Sequence, residues 1–322
     1  MASPLCSFSV NVMKANRRAS SGARWPRRCH MLRTDRRCTG QRLMALCLLL
    51  WSGLAGAAER IVVADGALTE ILYALGAEDR IVGVDTTSIY PPEAEDLPNI
   101  GYLRALSAEG ILSLSPDLLL TTQDAGPSAV LNQLRQANLR VEMLEADYSA
   151  SGTQALIERV GQIVGLEDEA EALGQELRDQ VEAARDQIDP DTRILFVLRG
   201  GGRGFMVSGS GTRAHALIEL TGASNPLAAM DGYKPLANEA ALELAPDVIL
   251  VSHMEGDVAA LYEHPALQHT PAARHGRIHS IDDTHWLQFG PRLGEAVTEL
   301  SELIRNGQGD TAGLSADSRM TP

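Results

Sequence analysis

The chain has 322 residues, 44% of them hydrophobic, and a formal net charge of −14. That length suits one large or two medium-sized α/β domains, and the acidic balance excludes nucleic acid and anionic lipid headgroups as partners. The charge is unevenly divided: residues 1–58 hold ten of the 28 Lys and Arg but one of the 42 acids, so the remainder carries 18 basic and 41 acidic residues, a net −23.

Those first 58 residues read as a leader. Arg-rich sequence runs to Arg42, the apolar run Leu43–Trp51 follows, and Ala55-Gly56-Ala57 closes it. A basic region, a short apolar core and an A-x-A site describe a secretory signal. The apolar run is too short to span a bilayer comfortably. Cleavage is expected near Ala57 or Ala58, with Met31 and Met44 as alternative starts, which makes the mature protein soluble and periplasmic. All four cysteines (Cys6, Cys29, Cys38, Cys47) lie in the leader. The mature chain therefore excludes disulfides, zinc–cysteine sites and thiol catalysis.

From Arg60 onward short apolar runs alternate with helical stretches. Ile61-Val62-Val63, Ile81–Val84, Leu118–Thr121 and Val141–Leu144 read as strands, with helices over 69–76 and 128–138. Residues 152–188 break this rhythm. They are rich in Ala, Leu, Glu and Gln without proline before Pro190, which predicts one or two long helices. A second α/β series opens at Arg193–Leu198. The expected fold class is α/β, with two parallel-sheet lobes joined by a long backbone helix and a ligand cleft between them. The boundaries are a leader over 1–58, a first lobe over 59–150, a connecting helix region over 151–190, a second lobe over 191–305 and a flexible tail over 306–322.

The two lobes repeat one another. Residues 106–123 (LSAEGILSLSPDLLLTTQ) align without gaps on 236–253 (LANEAALELAPDVILVSH), matching at seven of 18 positions. Upstream, Gly101-Tyr102-Leu103-Arg104 answers Gly232-Tyr233-Lys234 with a one-residue offset. Each half thus carries a Gly-Tyr loop with a cation, a short helix, Pro-Asp and a buried strand. Ligands of open α/β sheets sit beyond the strand ends, so both Gly-Tyr elements are expected to face a shared cleft. No G-x-S-x-G elbow, H-E-x-x-H or Walker loop occurs, and the run Gly200-Gly201-Gly202-Arg203-Gly204 does not fit G-x-G-x-x-G, which argues against an enzyme.

ALTEILYALGAEDRIVGVDTTSIYPPEA (67–94), NIGYLRALSAEGILSLSPDLLL (99–120), GTRAHALIELTGASN (211–225), GYKPLANEAALELAPDVILV (232–251) and FGPR (289–292) together resemble the helical-backbone class of periplasmic substrate-binding proteins. The likeness covers roughly residues 60–305 and is greatest to haemin-binding proteins of haem ABC importers. It implies a monomeric carrier without catalytic cofactor. Such a carrier takes up haem and hands it to an inner-membrane permease with its ATPase. A cobalamin or ferric-siderophore carrier of the same fold is the alternative.

The resemblance implies Tyr102 as the axial ligand of the haem iron. Phenolate is a hard anionic donor suited to Fe(III), and tyrosine is a known axial haem ligand. A free phenol titrates near 10, so ligation at neutral pH calls on the metal and a neighbouring cation, and Arg104 is read as that cation. Arg199, Arg203 and Lys234 are candidates for the haem propionates, and Tyr233 for stacking on the ligand or hydrogen-bonding to it. Relatives that stack two haems use a His where this chain has Arg199, which argues for one haem. His253 and Met254 are expected to face the cleft and His285 with Trp286 to line the opposite wall; His253, Met254 and His285 are the candidates for a second axial ligand. His215 reads as packing or capping, and His264, His269, His275 and His279 as surface residues. Glu109 and Glu239, equivalent in the repeat, are read as the permease-docking acids, one on each lobe.

Overall fold

In the first half, β1 (Ile61–Ala64), α1 (Gly66–Ala74), β2 (Ile81–Val84), α2 (Ala108–Ser113), β3 (Leu118–Thr122), α3 (Ser128–Gln136) and β4 (Arg140–Leu144) follow one another. These assignments come from a computed structural model that describes residues 58–185, 188–200, 204–236, 238–252, 259–265 and 267–306. The four strands form an all-parallel sheet in the order β2-β1-β3-β4. Successive strand side chains point to opposite faces, and here both sets are apolar. Ile61, Val63, Leu118 and Leu120 enter one core, and Val62, Ala64 and Leu119 enter another. The sheet is therefore covered on both sides.

Two helices link the halves, α4 (Ala150–Val164) and α5 (Glu167–Arg185). Of the one or two helices expected, two form, because Gly165 closes α4 in the left-handed conformation, φ 75°. The two pack closely: a Cβ on Gly161 would lie 2.4 Å from Cβ of Ala170, so that position admits only glycine without a shift.

In the second half come β5 (Ile194–Gly200), β6 (Gly204–Ser208), α6 (Arg213–Leu220), β7 (Tyr233–Pro235), α7 (Asn238–Leu244), β8 (Val248–Ser252), α8 (Ala259–Tyr262), α9 (Pro271–Arg274), β9 (Ile278–Ile281), α10 (Asp283–Trp286) and α11 (Leu293–Asn306). The sheet order is β7-β6-β5-β8-β9. Only β5, β8 and β9 run parallel, while β6 and β7 are antiparallel additions, so this sheet is mixed rather than parallel. Three residues separate β5 from β6, too few for the crossover a parallel pair needs. One core runs continuously from the first sheet through α4 and α5 to the second sheet and α11.

The repeat has a scaffold role. Asp117 Oδ2 accepts from the backbone N–H of Glu59 (3.0 Å) and Arg60 (3.2 Å), and Asp247 Oδ2 accepts from that of Arg193 (2.9 Å). The Arg60 guanidinium donates to the Leu114 carbonyl and the Arg193 guanidinium to that of Leu244, at the ends of the equivalent helices α2 and α7. In each half a non-glycine residue with positive φ, Ser115 (49°) or Ala245 (42°), precedes the Pro-Asp pair. Pro-Asp therefore locks a helix end to the first strand of each sheet. The leader up to Ala57 and the tail after Asn306 lie outside the described residues. Among those described, no helix is long and apolar enough to cross a membrane.

Candidate functional site

The carboxyl ends of the first sheet's strands are rimmed by aspartates: Asp65 follows β1, Asp85 follows β2, and Asp124 stands two residues after β3. Asp65 is buried (5% exposed) and caps α1, accepting from Ala67 N (2.8 Å) and from Thr122 Oγ1 (3.0 Å). Burial pushes its carboxyl above the usual carboxylate range, against the pull of Arg213 and of these hydrogen bonds. Asp85, equally sealed, is held by Thr87 and Ser88 and is likewise raised by burial.

Tyr102 stands on the loop leaving this edge. Ile100 N donates to Val84 O (2.9 Å) and Thr86 N to Gly101 O (3.0 Å), which ties the loop to the end of β2. Gly101 takes φ 91° there, a conformation that favours glycine. Beyond the tyrosine, buried Leu103 anchors the chain, and Gly126 N donates to Leu103 O (2.9 Å). The phenol itself is 44% exposed. Thus a braced loop presents an accessible phenol beside the strand ends. Arg104 is placed differently from expectation. Its Nη2 pairs with Asp124 Oδ2 at 3.2 Å on a side chain 60% exposed, and no described hydrogen bond joins it to Tyr102. A nearby carboxylate outcompetes a phenol for a guanidinium.

The second Gly-Tyr element is a strand, not a loop. Tyr233 opens edge strand β7, opposite Ser208 of β6, and is 39% exposed. Burial pushes its phenol up, while a hydrogen bond with Thr212 and the charge of Arg213 draw it down and Asp283 raises it. Lys234 is exposed in the same strand. Arg199 lies in β5, but its side chain lies outside the described residues, as do all of Arg203, His253 and Met254.

Arg213, at the start of α6, stands next to the Thr212 that hydrogen-bonds Tyr233 and carries no motif in the sequence. Its guanidinium lies 5.0 Å from the centroid of the Tyr148 ring and donates to Leu287 O (3.3 Å). Burial opposes its charge, yet Tyr148, Asp65 and Asp124 hold it protonated. Asp124, paired with Arg104, acts on Arg213 through its charge from a distance, and Thr212, next to Arg213 in the chain, hydrogen-bonds Tyr233. The only hint in the sequence was a cation just after Gly211-Thr212 at a helix start, a pattern carrying no ligand signature.

The FGPR segment is the seam between the halves. Arg292 grips buried Glu70 of α1 through Nε–Oε2 (3.0 Å) and Nη2–Oε1 (2.6 Å), and stacks 3.6 Å over the Tyr90 ring. Burial raises the Glu70 carboxyl and Arg292 lowers it. Phe289 packs on Tyr148, centroids 5.3 Å apart. His285 belongs to this seam rather than to an open wall: Nδ1 meets Arg292 Nη1 at 2.7 Å and Nε2 meets Glu299 Oε2 at 3.1 Å, which leaves neither ring nitrogen for iron. Trp286 is 8% exposed within the main core and offers no wall surface.

His215 packs as expected, between Asn225 (3.2 Å) and Glu219 (3.4 Å). His279 is not a surface residue: it sits in β9 at 1% exposure, both ring nitrogens without a partner among the described residues, and burial lowers its pKa to about 4. The alternation of β9 turns it inward with Ile281, and the short run Ile278-His279-Ser280-Ile281 carries no apolar pattern that marks position 279 as buried. Glu109 is exposed in the first turn of α2. Glu239 occupies α7, its side chain outside the described residues.

Comparison with known proteins adds three findings. A periplasmic binding protein family model matches residues 61–284. The solved periplasmic haem-binding protein RhuT from Roseiflexus sp. RS-1, in its apo form, is 38% identical, with a TM-score of 0.72 over 78% of this chain and 99% of that one. Among curated relatives, the uncharacterised ABC transporter substrate-binding lipoprotein YvrC of Bacillus subtilis is 29% identical over 73% of this chain and 76% of its own. The cobalamin-binding protein of Halobacterium salinarum is 26% identical over 77% and 70%.

Proposed function

The chain belongs to the periplasmic binding protein family, a family of substrate-binding transport proteins, and from that premise we propose that it captures haem and delivers it to an ABC permease. The observation that carries this reading is the presentation of Tyr102, an accessible phenol on a loop braced at both ends beside the strand termini. Such a phenol needs no rearrangement to bind Fe(III) axially, and the resemblance to haemin-binding proteins falls on this very loop. The likeness to RhuT, which spans nearly all of that protein, supports haem over other ligands of the fold.

The same reading places the carrier in the periplasm, exported by its leader and acting as a monomer. It docks on the permease through Glu109 and Glu239, equivalent acids of the two lobes. Arg199, Arg203 and Lys234 are proposed to meet the propionates from the second lobe, with Tyr233 against the ligand and His253 or Met254 as the remaining second axial ligands. One haem is expected, because Arg199 stands where a second haem would need a histidine.

Cobalamin is the second reading, favoured by the Halobacterium relative. Absorbance titration of the purified protein with haemin and, in parallel, with cyanocobalamin decides between them. The expected result is saturation at one haemin per chain with a tyrosinate-type spectrum. Tight cobalamin binding without haemin binding would overturn the reading.

A further inference from the structure

The second half sends two arginines toward tyrosines of the first, and their surroundings differ. Arg292 stacks on Tyr90 and holds a bidentate carboxylate, Glu70, so its charge is neutralised in place. Arg213 meets Tyr148 more loosely, 5.0 Å from the ring centroid and with a hydrogen bond to its side chain, and among the described residues no carboxylate oxygen comes within 4.0 Å of its guanidinium. Its one hydrogen bond to backbone goes to Leu287 O. Asp65 and Asp124 act on it only from a distance, Asp65 spending its oxygens on α1 amides and Thr122, and Asp124 pairing with Arg104.

A half-buried guanidinium with five donors and, among the described residues, no carboxylate in contact retains hydrogen-bonding capacity beyond Leu287 O and Tyr148. Its partial burial strengthens any anion that reaches it. Its place, one residue from the Thr212 that hydrogen-bonds Tyr233 and within electrostatic range of the Asp124 that holds Arg104, is where the two Gly-Tyr elements converge. We propose that Arg213 is a carboxylate receptor of the binding site: it takes one carboxylate side chain of the ligand through the N–H groups not given to Leu287 O and Tyr148, these two contacts holding the guanidinium in place. The planar fork matches a carboxylate, and a lysine there would not reproduce it. This assignment rests on the haem reading and names the group that discriminates among tetrapyrroles by their acid side chains.

Comparing haemin with haemin dimethyl ester, which keeps the iron and the ring but masks both carboxylates, tests it. Wild type, Arg213→Gln, Arg213→Lys and Tyr102→Ala are titrated with both compounds, and thermal melting checks the fold of each variant. Wild type is expected to bind haemin about tenfold or more tighter than the diester, on the scale of one charge-assisted contact. Arg213→Gln is expected to lose most of that preference, leaving what Arg199, Arg203 and Lys234 give the other carboxylate, while binding the diester as wild type does, and Arg213→Lys to recover part of the loss. Equal weakening of both ligands in Arg213→Gln means a purely structural role and overturns the proposal, as does an unchanged preference. A wild type that gives no tyrosinate-type spectrum with either compound overturns the haem reading itself, a result distinct from both.

Discussion

The two halves share a scaffold and differ at their Gly-Tyr elements. Asp117 and Asp247 both fasten the first strand of their sheet, Arg60 and Arg193 both hold the end of the preceding helix, and Ser115 and Ala245 both take positive φ. The Gly-Tyr elements answer each other in sequence only. Tyr102 rides a loop tied down at each side, whereas Tyr233 opens an edge strand of a mixed sheet. The outer strands diverge too: Glu142 of β4 stands at the register position that His279 takes in β9, since β3 Leu119 faces Val141 as β8 Ile249 faces Ile278. Glu142 is partly exposed and pairs with Arg140 and Arg159, while His279 is sealed. The residues that brace the strands match between the halves, and those at the Gly-Tyr elements and the outer strands do not.

That contrast is open to direct attack, most strongly at the tyrosines. Tyr102→Ala is expected to weaken haemin binding by more than about 100-fold, beyond the cost of losing a group that merely supports a metal ligand. Tyr233→Ala is expected to cost roughly tenfold or less, as for one hydrogen bond or stacking contact. Absorbance titration of both variants reads the difference, and equal losses would mean that the two elements act alike.

The next effect is in stability. A histidine whose folded-state pKa falls from 6.5 to about 4 binds its proton more readily in the unfolded chain. Its contribution is complete above pH 6.5 and is lost as pH falls toward 4, by on the order of 3 kcal/mol. Urea melts of wild type and His279→Leu across that window are expected to diverge as pH falls, wild type losing stability along this slope while the variant lacks it. Glu142→Ala, at the matching position in the first half, is expected to cost less than about 1 kcal/mol at any pH there, as a partly exposed ion pair does.

The shared scaffold predicts a smaller and symmetrical effect. Asp117→Ala and Asp247→Ala are each expected to cost about 1 kcal/mol, the worth of a hydrogen bond to backbone, by chemical denaturation. A silent substitution in one half would break the equivalence. Smallest of all, Arg104→Gln removes an exposed pair with Asp124 and is expected to change stability by less than about 0.5 kcal/mol.

The apolar runs Ile61–Ala64 and Leu118–Thr122 announced buried parallel strands because both faces of each are hydrophobic, and the repeat was legible because the scaffold reuses Pro-Asp with the same partners. The antiparallel β6 and β7 were not legible, since a glycine run after a strand is equally a ligand loop or a hairpin. Nor was the role of Arg213, His285 or Trp286. Each is set by residues distant in sequence: Tyr148 for the first, Arg292 and Glu299 for the second, and the core beneath α10 for the third. Motif spacing records local chemistry, and a guanidinium chooses its partner in three dimensions, as Arg104 does in turning to Asp124.

The crystal structure of the haemin-loaded protein is the most direct measurement. The expected result is iron bonded to Tyr102 Oη, with the porphyrin between the Tyr102 loop and β7. Iron ligated by any other side chain, with Tyr102 left free, would contradict it.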